Sequence, residues 1–232
     1  MKNSSSGYTP PSPSLASRQV AQASKGHFTG HVIVHDGDQK RILEVESHLE
    51  MLWVVYLLSL PAVDTIIEQA PFVWVDDEGQ IRTKYFDFLV ILRSGRRLAC
   101  EVKPSVRLKS GRVLRELRQI AAQMCRQPQN EKRPLFADEV RLLTEEDLDP
   151  ISIYNAEMFM GMRDPDPVVD EAALLAVREL RGSATMADLT QLVGQGARGF
   201  RALVRLIMKQ VLCIDGHSRI TPKTRVSLKE DI

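Results

Sequence analysis

Cysteine is scarce in this chain of 232 residues, with Cys100, Cys125 and Cys213 standing far apart. That usage gives neither a CxxC metal site nor a disulfide framework, and it fits a reducing cytosol. Long apolar runs are missing as well. The longest, residues 51–63, is interrupted by Ser59 and Pro61 and is too short to cross a bilayer. The opening MKNSSSGYTPPSPSLASRQ has no apolar core and so does not read as a secretory signal. Charge of a single sign is also absent: 31 Lys and Arg face 30 Asp and Glu, for a net charge of +1. A simple polycation is excluded, and any grip on nucleic acid must come from local basic patches. What is present is an ordinary soluble composition, 44% hydrophobic and 26% charged, long enough for one large domain or two modest ones.

Residues 1–26 are rich in Ser, Pro and Gln with little to bury, which predicts a disordered arm. HVIVHDGDQKRIL, residues 31–43, alternates apolar and polar around Asp36-Gly37, so a hairpin or two short strands are expected. Residues 46–60 carry Leu49, Leu52, Trp53, Tyr56 and Leu57 at helical spacing; Ser47 and Glu50 match a capping box, and Pro61 ends the helix. Residues 63–69 lead towards a short strand at 72–76, followed by a turn at Asp77-Glu78-Gly79. Residues 81–92 and 97–103 then read as paired strands joined at Ser94-Gly95. A basic loop and helix follow over 107–127, with Leu114, Leu117, Ile120, Ala121 and Met124 inward. A last strand is expected within 135–144, closing a mixed sheet flanked by helices in an α/β domain over 27–148.

Residues 149–170, with Asp164-Pro165-Asp166-Pro167, read as a linker because proline breaks helices. The remainder, 171–232, forms a separate small unit on this reading. Helices are expected at 171–181, at 185–193 (capped by Thr185 or Ser183, with Leu189 and Leu192 inward) and at 197–210, followed by a β-hairpin over 211–228. Three helices and a hairpin are the order of a winged helix.

The chemistry concentrates in KYFDFLVILRSGRRLACEVKP, residues 84–104. Asp87 lies inside an apolar strand, and Glu101-Val102-Lys103 ends the next one. Side chains two apart on a strand share a face, so Glu101 and Lys103 point together towards a carboxylate on the neighbouring strand. Carboxylates holding Mg²⁺ beside a lysine can neutralise a phosphodiester, activate water and stabilise the leaving oxygen. The ordinary alternative is a solvated Glu-Lys pair on an edge strand. An aspartate amid Phe86, Phe88 and Leu89 weighs against it, because burying such a group is costly unless it binds something. Glu50 has two open roles: partner of Ser47 in the cap, or a further metal ligand.

Four ordered blocks then carry a resemblance: S-x-L-E at Ser47–Glu50, E-Q-x-P at Glu68, Gln69 and Pro71, D-F-L-V from Asp87, and E-V-K-P from Glu101. Over residues 45–107 the sequence resembles TnsA, the endonuclease subunit of heteromeric, Tn-seven-type cut-and-paste transposases. The resemblance implies a restriction-endonuclease-like PD-(D/E)xK core with a winged-helix-like C-terminal domain. It implies Mg²⁺-dependent cleavage of the 5′ strands at transposon ends, with Mn²⁺ able to substitute. The family's acids carry over to Glu50 and Asp87, its Glu/Gln position to Glu101 and its lysine to Lys103, with the Val102 carbonyl completing the metal set. A further acid on the following helix has two candidates here, Glu116 and Gln119, and no motif selects between them. Implied partners are DNA, a DDE-type subunit resembling TnsB, and an AAA+ regulator resembling TnsC that meets the C-terminal domain. The implied location is the bacterial cytoplasm, at the nucleoid during action, without a membrane.

Two basic faces have solvation as their ordinary reading and phosphate contact as the functional one: Arg107, Lys109 and Arg112 after the lysine, and Arg198, Arg201, Arg205 and Lys209 on the last helix. For the last helix a protein-binding surface competes. The repeat of His27, His31 and His35 falls in β-like sequence and is better explained by chance than by a metal face. A stand-alone nuclease for defence or repair, and a catalytically silent DNA-binding adaptor, are the other functions this sequence accommodates.

Overall fold

The computed structural model describes residues 9–18, 28–36, 39–124 and 136–229. It is an α/β structure that divides into two compact units, Met1–Val54 with Ala62–Asp147, and Val55–Pro61 with Leu148–Ile232. None of the helices in the described residues is long and apolar enough to cross a membrane.

The first unit begins with an antiparallel pair, β1 (Gly30–Asp36) and β2 (Gln39–Val45), in which Val32 and Val34 are buried while His31 and His35 are exposed. That alternation confirms strand rather than helix here; His27 and the turn residues 37–38 lie outside the described residues. Helix α1 (His48–Ser59) starts where the Glu50 N–H donates to Ser47 Oγ at 3.1 Å. Trp53 and Val54 are buried in this unit, and the rest of the helix, with the buried Leu57, belongs to the second.

The central sheet is mixed and has the order β3-β4-β5-β6. β3 (Val63–Val75) and β4 (Ile81–Leu92) form a long antiparallel hairpin, so 63–69 and the short strand expected at 72–76 merge into one strand that ends at Val75. Pro71 is tolerated because β3 lies at the sheet edge. β5 (Arg97–Val102) pairs antiparallel with β4 across a turn in which Gly95 adopts φ 84°, a region glycine enters without penalty. A 3₁₀ turn at Ser105–Leu108 leads to α2 (Arg112–Met124), which starts later than the expected 107; residues 125–127 lie outside the described residues. α2 carries the chain over to β6 (Glu139–Leu143), parallel to β5. Leu117, Ile120 and Met124 of α2 pack with Phe72, Phe86, Leu89 and Ala99. Phe136 joins this core, its ring centroid 5.2 Å from that of Phe72.

The amino-terminal segment departs from its reading as a disordered arm. Within residues 9–18, Ser12 bridges β2 in parallel with Arg41, and its N–H donates to the Lys40 carbonyl at 2.7 Å. Ser14 Oγ and the Leu15 N–H both donate to Glu68 Oε1. Composition correctly indicates that this stretch buries little apolar surface. What holds it is polar pairing with groups of β2 and β3, which composition does not encode.

The second unit corrects the expected linker at 149–170, where the chain is helical. α3 (Pro150–Met162) and α4 (Pro167–Arg178) each begin with proline at the first helical position, where the missing N–H costs nothing. Asp149 caps α3 by accepting from the Ser152 N–H at 2.7 Å. A short β7 (Ser183–Thr185) precedes α5 (Met186–Val193), which Thr185 rather than Ser183 caps. Leu189 is buried, but Leu192 is 65% exposed, contrary to its inward assignment. α6 (Ala197–Met208) buries Leu203 and Val204. β8 (Leu212–Ile214) and β9 (Arg225–Leu228) pair as expected of the hairpin over 211–228, and β7 joins as a third strand. Asn155 of α3 holds the intervening loop by donating to the Ser218 carbonyl and accepting from the Ile220 N–H.

One buried ion pair ties the first unit's hairpin to its sheet: Arg41 Nη1 lies 3.0 Å from Glu68 Oε2, with side chains 2% and 0% exposed. Removing one partner strands the other charge in a low-dielectric interior. Arg41→Met should therefore cost about 3–5 kcal/mol in urea unfolding, whereas Arg41→Met with Glu68→Leu should recover much of that loss. Equal stability of Arg41→Met and wild type would contradict the assignment.

Candidate functional site

The site forms where β4 and β5 run out of regular pairing. Their register ends with Phe88 opposite Cys100, which brings Asp87 and Glu101, the next residue along each strand, across from one another. On the other side, β3 has Gln69 at φ 49° between the pairs Glu68–Phe88 and Ala70–Phe86. The alternation of burial is lost here, and every residue from Phe86 to Val90 is buried. β5 stops because Pro104 has no N–H to continue the ladder, while the Lys103 N–H still donates to the Leu143 carbonyl of β6.

Asp87 and Glu101 are 7% and 2% exposed. Asp87 Oδ2 accepts from the Val102 N–H at 2.7 Å, which substitutes for a strand contact. Lys103 Nζ is 2.8 Å from Glu101 Oε1, 3.0 Å from the Val102 carbonyl oxygen and 3.4 Å from Asp87 Oδ2. One ammonium thus gathers oxygens from the three residues that the sequence reading assigns to a metal on these strands. Lys84 Nζ of β4 also reaches Glu101 Oε1, at 2.8 Å. Glu101 Oε2 is buried with no hydrogen-bond partner among the described residues, an unmet acceptor of the kind a hard cation satisfies. The donor set is all oxygen, which suits Mg²⁺ or Mn²⁺.

Glu50 is buried and takes up its cap. Its Oε1 accepts from Ser47 Oγ and its Oε2 from the Glu46 N–H, each at 2.8 Å. The capping role is therefore realised; a carboxylate has about four acceptor positions, which leaves room for a further ligand. Among the described residues, no group of three or more His, Cys, Asp and Glu side chains stands together as a ready cation cage. Glu116 reaches this cluster through Lys84, 3.3 Å from its Oε1, whereas Gln119 turns away and donates to Asp77.

The electrostatics follow from burial. Desolvation raises the Asp87 carboxyl to about 7, with Glu101 and Glu50 adding to the shift and Lys103 opposing it. Desolvation also raises Glu50, against the hydrogen bonds of its cap. Burial works against the charge on Lys103, yet Asp87 and Glu101 outweigh it and hold the amine above its ordinary value. The nearby Cys100 thiol is pushed up to about 12 by burial, which removes it as a nucleophile.

Arg107, Lys109, Arg112, Arg115 and Arg118 are all exposed, as a phosphate-facing or solvated surface requires. The basic face of α6 is thinner than expected. Arg205 is buried against Asp170 and the Met162 carbonyl, and Arg198, though exposed, pairs with Asp166, so Arg201 and Lys209 are the exposed cations outside these pairs. Two contributors to the first unit's cluster escape the motif reading. Lys84 begins the chemically dense stretch, but no spacing rule marks it. Arg18 donates to Gln69 at 2.8 Å and pairs with Glu46 beside Glu50, from a segment whose composition signals disorder.

No protein-family model and no curated protein matches the sequence.

Asp87 has a folded pKa above its unfolded value, so the folded chain retains a proton that the unfolded chain has released. In chelator, wild-type stability should therefore fall as pH rises from 3.8 towards about 7, with Glu50 acting in the same direction. Asp87→Asn keeps an acceptor for the Val102 N–H and should flatten this decline, melting several degrees higher than wild type above neutral pH. Parallel pH profiles for the two proteins would contradict the assignment.

Proposed function

We propose that the chain is a metal-dependent DNA endonuclease, the subunit of a heteromeric transposase that cuts the 5′ strands at transposon ends. The observation that carries this reading is the cluster of buried Asp87, Glu101 and Val102 with the half-buried Lys103, with an unmet oxygen on Glu101. Three features support a restriction-endonuclease-like core: the mixed sheet, the acid on β4 and the Glu-Val-Lys end of β5. The helices and three-stranded sheet of the second unit support a winged-helix-like domain there.

Asp87, Glu101 and the Val102 carbonyl would hold Mg²⁺, with Glu50 at the border. When bound, the cation supplies Lewis acidity towards the phosphodiester and lowers the pKa of a ligated water. Lys103 orients the attacking water and stabilises negative charge as it develops on the phosphate oxygens. The exposed Arg107, Lys109 and Arg112 draw the DNA backbone past the site. With a net charge of only +1, the chain alone binds DNA weakly, so its partners govern when it cuts. Those partners are a DDE-type subunit resembling TnsB and an AAA+ regulator resembling TnsC, the latter engaging residues 171–232, and the setting is the bacterial cytoplasm.

A second reading, a catalytically silent DNA-binding adaptor, draws on the engagement of both Glu50 oxygens in its cap and on the two ammoniums at Glu101. Nicking of duplex DNA carrying transposon ends, in Mg²⁺ and with the partner recombinase and regulator, separates the two. Wild type should nick, and Asp87→Ala should lose about 100-fold or more, close to 3 kcal/mol of barrier. Equal cutting by the variant would sink the site, and no cutting by wild type under any partner combination would favour the adaptor.

A further inference from the structure

The proposed chemistry gives Lys84 no task, yet its ammonium is held as closely as that of Lys103. Both nitrogens lie 2.8 Å from the same oxygen, Glu101 Oε1. Two like charges on one oxygen repel each other, so a divalent cation at this carboxylate would compete with both ammoniums. Lys103 has its other contacts within the cluster itself, at Asp87 and the Val102 carbonyl. Lys84 differs. Its nitrogen is already 3.3 Å from Glu116 Oε1 on α2, outside the acids of β4 and β5. The Glu116 side chain is 34% exposed and lines an open cleft of about 590 Å³, shared with Trp74, Arg112 and Arg115. Lys84 thus already bridges Glu101 to a second carboxylate, one that can keep the ammonium once Glu101 turns to a cation.

We infer that Lys84 is a positioning residue that holds Glu101 in the metal-free protein and releases it by moving onto Glu116 when a divalent cation binds. The inference rests on the reading of Asp87 and Glu101 as metal ligands. It makes Lys84 a competitor of the cation and Glu116 its landing place, so the two side chains affect cation affinity in opposite directions. A lysine that merely braced the fold would not behave in this way, because loss of either partner of a bracing pair would loosen the same site.

The test uses the full chain and Mn²⁺ alone, read by calorimetric titration and by the Mn²⁺-induced rise in melting temperature. Lys84→Met, which keeps the aliphatic stem, should bind Mn²⁺ about fivefold more tightly than wild type, and Glu116→Gln should bind it several-fold more weakly. Lys84→Met should also melt lower without metal and gain more on adding it. Lys84→Gln replaces it if Lys84→Met does not fold. Unchanged affinity in the Lys84 variant, or weakening in both variants, would overturn the inference while leaving the metal site standing, provided wild type binds Mn²⁺ and Asp87→Ala does not. Failure of wild type to bind Mn²⁺ in an Asp87-dependent way would overturn both.

Discussion

Taking Asp87 and Glu101 out of water is the costly act on which the first unit is built. The two residues are 7% and 2% exposed among Phe86, Phe88, Leu89 and Val102. An isolated buried carboxylate is penalised by several kcal/mol, so the surrounding chain must supply compensation. It does so with the Val102 N–H, with Lys103 and with Lys84. The compensation is incomplete. Asp87 remains raised to about 7, and Glu101 Oε2 has no partner among the described residues. A buried aspartate raised this far beside a lysine is the physical ground for taking the pair as a candidate site.

The elements around the pair make this burial feasible. The long β3–β4 hairpin has α2 packed against it, while β6 extends the sheet beyond β5. Gln69, in a left-handed backbone conformation between two regular pairs, marks where the β3–β4 ladder yields to the side chains of the site. Polar neighbours are stabilised in turn: Glu68 by Arg41, Ser14 and the Leu15 N–H, and Gln69 by Arg18. Buried polar networks of this kind hold their geometry only when their members are satisfied. The amino-terminal segment is thus part of the support for the sheet beneath the cluster.

What could be read from residues alone follows the range of each interaction. The Ser47–Glu50 cap, the Ser94-Gly95 turn and the alternating valines of β1 are local, and their chemistry is legible within a few positions. Asp87 and Glu101 were legible because an acid inside an apolar strand violates the ordinary pattern. Proline was ambiguous: it reads as a breaker at 149–170, yet Pro150 and Pro167 start helices, and only the cap geometry tells the two apart. Long-range polar pairing was not legible. The burial of Arg205 depends on Asp170, thirty-five positions away, and the docking of Ser14 depends on Glu68 at a distance of fifty-four. Leu192 followed the helical period towards the core, but the short α5 leaves it outside.

Whether the Asp87–Glu101 pair takes a divalent cation decides the function of this cluster. Anomalous diffraction from crystals of the full chain soaked in Mn²⁺ tests this directly. The account predicts a single strong peak within about 2.5 Å of carboxylate oxygens from both Asp87 and Glu101, with the Lys103 ammonium displaced from between them. Crystals in which Mn²⁺ binds elsewhere, or not at all, while Lys103 and Lys84 still hold Glu101, would contradict it.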